Sequence, residues 1–265
     1  MKYVRGFTLA ELAIALVIIA LLIGGLLSPF SAQRDLEARR STSRSLEIIR
    51  EALLGYAIQH GRLPCPANAN IATGNTGAGI EASLSSSGNC SCTSNTFSSP
   101  NGIAGSDGAC SGNTVSGVLP WVTLGLDELD AWGNRYSYLV TTYYARSAGN
   151  QVNFDCDTTA PDTSPNNAAF ALCSKGLALI RNSSSANWSP LTTSNEVPAV
   201  VVSHGNNGLG ARLPTGSMRA GAVGDELANV DGDAVFISNA DIDDLIIWIS
   251  RPVLMNRMIA AGRLP

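Results

Sequence analysis

Five aspartates crowd one short stretch of the chain. Asp231, Asp233, Asp241, Asp243 and Asp244 all fall within NVDGDAVFISNADIDDLIIW. Carboxylates spaced by Gly and Asn are the hard oxygen donors that calcium takes, and Asp231, Asp233 and Asp241 are the candidate ligands. The spacing departs from an EF-hand loop, which needs an acid at its twelfth position. The same residues have a plainer use. Asp241 can cap a helix whose first turn carries Asp243 and Asp244, with Asp231-Gly-Asp233 as a turn before it. Two histidines, His60 and His204, complete the inventory of bases. No Gly-x-Ser-x-Gly, His-Glu-x-x-His or P-loop pattern is present, and the glycines of SHGNNGLG lack the context of a dinucleotide fingerprint. The chain reads as a non-enzyme, with calcium as its one candidate cofactor.

Six cysteines, Cys65, Cys90, Cys92, Cys110, Cys156 and Cys173, all follow an apolar N-terminal segment. An even set on one side of such a segment points to an oxidising compartment and up to three disulfides. Cys90-Ser-Cys92 is one residue tighter than a zinc knuckle, and no His lies near it. Cys156 with Cys173 is the one pairing the sequence singles out. Lys and Arg number 17 against 21 Asp and Glu, a net charge of −4 with only 14% of residues charged. Such a balance gives no electrostatic ground for general nucleic-acid binding.

These residues must be positioned by an unusual element. Residues 7–27 carry a single charge, Glu11, and as a helix span roughly 31 Å, one bilayer core. The run is too long for a cleavable secretory signal, and Ser28-Pro29-Phe30 is a poor cleavage site of that kind. Lys2 and Arg5 precede it and hold the N-terminus in the cytoplasm, so the bulk of the chain is exported. An acid inside a membrane helix is costly, and Glu11 therefore asks for a partner.

RGFTLAELAIALVIIALLIGG closely resembles the N-terminus of type IV pilins and type II secretion pseudopilins, with Gly6, Phe7, Thr8, Leu9, Glu11 and Leu12 all in place. The resemblance implies that a membrane prepilin peptidase cuts between Gly6 and Phe7 and methylates the new Phe7 amine. It implies that Glu11 pairs with the terminal amine of a neighbouring subunit, each charge making the other tolerable in apolar surroundings. It further implies other pilin or pseudopilin subunits and an inner-membrane assembly platform as partners. The expected location is the bacterial inner membrane, with a single pass and a periplasmic globular domain, and then a periplasmic or cell-surface filament. The alternative is a minor or tip subunit that binds a surface, a secreted substrate or DNA.

The rest of the chain divides around this helix. Residues 1–6 are the leader, 7–28 the membrane and filament-core helix, and 29–61 its amphipathic second half. Pro29 is expected to bend the helix or loosen it locally. Leu46, Ile49, Leu53, Tyr56 and His60 recur every three or four residues as one stripe, and Gly61 and Pro64 stop the helix. His60 reads as a packed or capping residue. Residues 62–118 form a long cysteine-bearing loop, and 119–265 hold the sheet and C-terminal helices. Strands are expected over 136–144, 176–182, 197–205 and 234–238. The turn Asp130-Ala-Trp-Gly-Asn134 resembles the Asp-x-Trp-Gly-x-x-Tyr segment that opens the sheet of major pseudopilins. The tail DDLIIWISRPVLMNRMIAAGRLP reads as two short helices, with Ser250 as cap and Gly262 as stop. The whole is an α+β, pilin-like arrangement: a long helix on a mainly antiparallel sheet of about four strands.

Overall fold

The stripe read along the helix's second half is buried as its spacing requires. Leu46, Ile49, Leu53 and Tyr56 are each at most 8% exposed, while Arg44, Glu47 and Glu51 lie on the open side. His60, at the end of the stripe, is exposed and stacks on Tyr56 with ring centroids 3.9 Å apart. The computed structural model of the chain describes residues 8–85, 88, 90, 114–148, 168–230 and 232–264, without the side chains of residues 22–32. The chain divides into two compact units, Met1–Ser41 and Thr42–Pro265. The elements are α1 (Leu9–His60), β1 (Thr114–Val118), α2 (Trp121–Leu124), β2 (Ser137–Thr141), α3 (Thr142–Ala145), β3 (Gly176–Leu177) and β4 (Leu179–Arg181). They continue with β5 (Glu196–Val197), β6 (Ala199–Ser203), α4 (Gly224–Ala228), β7 (Val235–Ile237), β8 (Leu245–Ile249) and α5 (Arg251–Ala260).

In the Thr42–Pro265 unit, a four-stranded antiparallel sheet runs in the order β1-β2-β6-β8. Because side chains alternate along a strand, the sheet feeds two cores. Tyr138, Val140, Val201 and Ile249 pack with Leu46, Ile49 and Leu53 of α1 and with Leu254 and Met258 of α5. Leu139, Val200 and Val202 face the other way, onto Ile180 and Phe236. Those two residues belong to the parallel pair β4–β7. Covered on both faces, β6 is buried at every position, which is why its sequence is a plain apolar run rather than an alternation.

The α+β architecture is thus as expected, with a different set of strands. Stretch 136–144 ends as a strand at Thr141, and Tyr143 and Tyr144 lie in the buried turn α3, where Tyr144 donates to the Ser174 carbonyl at 2.6 Å. Stretch 176–182 is split into β3 and β4, which pair with different strands. Pro198, which has no N–H to donate, separates β5 from β6. Two sheet strands come from stretches read otherwise. β1 lies at the end of the cysteine-bearing stretch, and β8 lies in the tail read as two helices. Three isoleucines and a tryptophan favour a pleated, half-buried position, and β8 pairs with the whole of β6. Asp241, Asp243 and Asp244 therefore precede a strand, and the helix they were expected to start does not form there.

The tail's second helix stands, with Ser250 at the N-cap position and Gly262 in the left-handed conformation behind it (φ 68). Arg263 then reaches back to α1, donating to the Ile58 carbonyl at 2.8 Å and to that of Gln59. It satisfies acceptors that any helix C-terminus leaves open.

The described part of the long loop is held by buried charge. Arg135 has no exposed surface. It donates to Glu128 at 2.7 Å, to the carbonyls of Ala69, Ile71 and Pro214, and to the Thr73 hydroxyl. Its guanidinium also lies 4.8 Å from the Trp121 ring. Gly79 is needed beside that ring, because its φ is 67 and a Cβ there would collide with Trp121. Removing one partner of a buried ionic network leaves the others unpaired, which costs about 3–5 kcal/mol. Arg135→Met is expected to lower unfolding free energy by that amount, and Arg135→Lys to recover little of it, because an ammonium cannot reproduce the fork of donors. Urea unfolding of the two variants against the parent checks this.

Candidate functional site

The best-marked site in the sequence is the start of α1. Gly6 and Phe7 lie outside the described residues; Thr8 and Glu11 do not. Thr8 donates its N–H and its hydroxyl to the same Glu11 carboxylate oxygen, each at 2.9 Å. The Glu11 N–H returns a bond to the Thr8 hydroxyl at 3.3 Å. This reciprocal arrangement is a capping box, satisfying donors that a helix N-terminus otherwise leaves open. The signal in the sequence is the Thr-x-x-Glu spacing of Thr8 and Glu11. The carboxylate thus sits where a helix dipole favours negative charge.

Behind it, every large apolar side chain described from Leu9 to Leu21 is at least 50% exposed: Leu9, Leu12, Ile14, Leu16, Val17, Ile18, Ile19 and Leu21. Their positions run around the whole circumference, the pattern of a helix meant for apolar surroundings on all sides. Among the described residues no helix is long and apolar enough to cross a membrane. The apolar run of the sequence, 7–27, extends past the described side chains at both ends.

Residues 1–27 match the family model described as the prokaryotic N-terminal methylation motif, the prepilin-type cleavage and methylation segment. The match makes the N-terminal segment prepilin-like and covers 27 of the 265 residues. No curated protein and no solved structure matches the chain. The Asp130–Asn134 turn is built around Asp130. Its carboxylate accepts from the N–H groups of Trp132 and Asn134 at 3.0 and 2.9 Å and from the Ser203 hydroxyl at 2.7 Å. Burial raises its pKa, with those bonds working against the rise.

Of the cysteines, Cys65 and Cys90 form a disulfide with Cα atoms 5.7 Å apart. Cys173 is also disulfide-bonded, while Cys92, Cys110 and Cys156 lie outside the described residues. Beside the Cys65 bridge, Glu81 accepts from Arg62, from the Tyr56 hydroxyl at 2.7 Å and from the Cys65 N–H at 3.1 Å. Burial pushes the Glu81 carboxyl up, and the Arg62 and Tyr56 bonds outweigh it, leaving its pKa below the ordinary value. Of the calcium candidates, Asp231 lies outside the described residues. Asp233 accepts the Val235 N–H at 2.8 Å, and the Asp241 N–H donates to Asn239 at 2.9 Å. Among the described residues no three His, Cys, Asp or Glu side chains form a metal-holding group.

His204, at the head of SHGNNGLG, is fully buried. Its Nε2 lies 2.8 Å from the Ser137 hydroxyl, while its Nδ1 lies 3.9 Å from Asp244, too far for a hydrogen bond. Asn229 donates to Asp244 at 2.7 Å. The cavity beside Ser137 measures about 30 Å³, room for a water rather than a substrate. Burial drives the His204 pKa down to about 4 and that of Asp244 up to about 7, helped for Asp244 by Asp243 and Glu226. Both groups are neutral in mildly acidic solution, so they do not form an ion pair. Folded Asp244 holds its proton more tightly than the unfolded chain does, so its stabilisation is complete below the ordinary aspartate pKa and is lost as pH rises through about 7. His204 acts oppositely: its stabilisation is complete above the ordinary histidine pKa and is lost as pH falls through about 4. The melting temperature is expected to fall as pH rises from about 6 to about 8, and Asp244→Asn to flatten that slope. Thermal unfolding of both proteins across that range, with an equal slope as the contrary result, checks the assignment.

Proposed function

We propose that the chain is a structural subunit of a type IV pilin-like filament, either a type II secretion pseudopilus or a type IV pilus. Prepilin peptidase cleaves it between Gly6 and Phe7 and methylates the Phe7 amine. Before assembly it is anchored in the inner membrane by α1, with its N-terminus cytoplasmic and its globular unit periplasmic. It then joins other subunits through the same helix. The observation that carries this reading is a coincidence of position: the methylation motif, residues 1–27, overlaps the start of α1, where the described apolar side chains from Leu9 to Leu21 are exposed all round. In lipid those side chains are solvated by acyl chains; in a filament they are covered by neighbouring helices. The Asp130–Asn134 turn ahead of β2 favours the pseudopilus, since it resembles the pseudopilin segment.

In the filament the Glu11 carboxylate takes the terminal amine of a neighbour. Its present partner, Thr8, is exposed with it, so a second donor can reach the same oxygens. The test is co-expression with a prepilin peptidase and the assembly machinery. Mass spectrometry is expected to find a mature chain that begins at methylated Phe7, and Gly6→Val to abolish its formation. Glu11→Val is expected to be processed and membrane-inserted normally yet to enter filaments more than about tenfold less, because an unpaired buried amine costs several kcal/mol. Full incorporation of Glu11→Val would refute the pairing.

A further inference from the structure

We propose that Arg34, Arg39 and Arg40 form a collar on α1 that binds the phosphates of lipid headgroups on the exported face of the membrane. The inference rests on the membrane-anchored reading above and adds to it what fixes the depth of the waiting subunit.

Position comes first. No residue between Glu11 and Arg34 is charged, so Arg34 is the first charge after the apolar run. At 1.5 Å per residue it stands about 10 Å beyond Leu27, just past the hydrocarbon edge. Arg39 and Arg40 stand about 18–20 Å beyond Leu27. Side chains on a helix lean toward its N-terminus, here toward the bilayer, and long arginines reach back further to place their heads in the polar layer.

Arrangement comes second. At 3.6 residues per turn, Arg39 and Arg40 lie about 140° and 240° around the helix from Arg34. Three guanidiniums spread around the circumference suit a surrounding that is the same on every side, as a headgroup layer is. A protein partner on one side would reach only part of the set.

Availability comes third. Arg34 and Arg40 are exposed and have no ion pair among the described residues. Arg39 lies 3.7 Å from Asp35, with both side chains more than a third exposed, a pair too solvated to hold it firmly. Asp35 and Glu37 leave the collar with a net charge of only 3 − 2 = +1, so bulk attraction is not the driving force. The contact is short-range: a guanidinium offers a planar fork of donors that matches a phosphate, anionic or zwitterionic.

The collar matters because of what cleavage removes. Lys2 and Arg5, the basic side chains on the cytoplasmic flank, leave with the leader. Thereafter the arginines flanking the apolar run lie on the exported side. Their phosphate bonds oppose inward sliding and must be released when the subunit is drawn out into a filament.

The experiment uses the full chain carrying R5Q, so that no leader arginine contributes, with its arginine guanidinium carbons labelled with carbon-13, in vesicles of phosphatidylethanolamine and phosphatidylglycerol. Solid-state NMR reads dephasing of those carbons by lipid phosphorus. Dephasing is expected in the parent, to be largely lost in R34Q/R39Q/R40Q, and to persist in R251Q/R257Q. Absence of dephasing in protein that resists alkaline extraction would overturn the collar alone. Equal dephasing in the triple variant would do the same. Protein that alkali strips from the vesicles would overturn the membrane reading and the collar with it.

Discussion

A single buried guanidinium holds together the part of the globular unit that has least regular structure. Arg135 stands at the entrance to β2, and its donors end on Ala69, Ile71, Thr73, Glu128 and Pro214. Those acceptors come from three separate stretches of chain, none of them a strand of the main sheet. A buried polar segment is tolerable only when its carbonyls find donors, and one arginine supplies several at once. The turn at Asp130 and the close approach of Trp121 are arranged around the same centre. The sheet can thus carry long irregular excursions without leaving their backbone groups unmatched.

What could be read in the sequence divides by the range of the interaction. The N-terminal segment was legible because its chemistry is local: a basic leader, a Gly–Phe junction and an acid at fixed spacing. The stripe Leu46–Ile49–Leu53–Tyr56 was legible because helix periodicity writes itself into neighbouring residues, and β6 because an unbroken β-branched run has few other uses. β8 was not. A five-residue apolar run has no period to distinguish strand from helix, and the aspartates ahead of it imitate a helix start. Its identity is decided by β6, some fifty residues away. The division of 176–182 into two strands depends likewise on β5 and β7. Arg135 was invisible for a related reason, since most of its partners are backbone carbonyls, which carry no residue type.

The helix start resolves why a carboxylate is tolerated at the head of an apolar run. In the single chain Glu11 is hydrogen-bonded to Thr8, so the residue that seems foreign there completes the helix end. The same oxygens that finish one helix are suited to receive another chain's amine. Under the proposed pairing, helix initiation and subunit register draw on one side chain. The Cys65–Cys90 bridge and the Glu81 cluster beside it play the corresponding part at the other end of α1, fixing where the chain leaves the helix.

The contact between Arg263 and the last turn of α1 links positions 205 residues apart. In the export proposed above, Ile58 emerges 205 residues ahead of Arg263. On that reading the helix end waits for its donor during translocation, and the sheet waits with it, because β8 follows β6 in the chain. Pairings this distant in sequence make for slow folding. Export of this kind would complete the globular unit only once the segment carrying β8 and Arg263 had emerged, which makes a late segment of the chain the checkpoint for an early one.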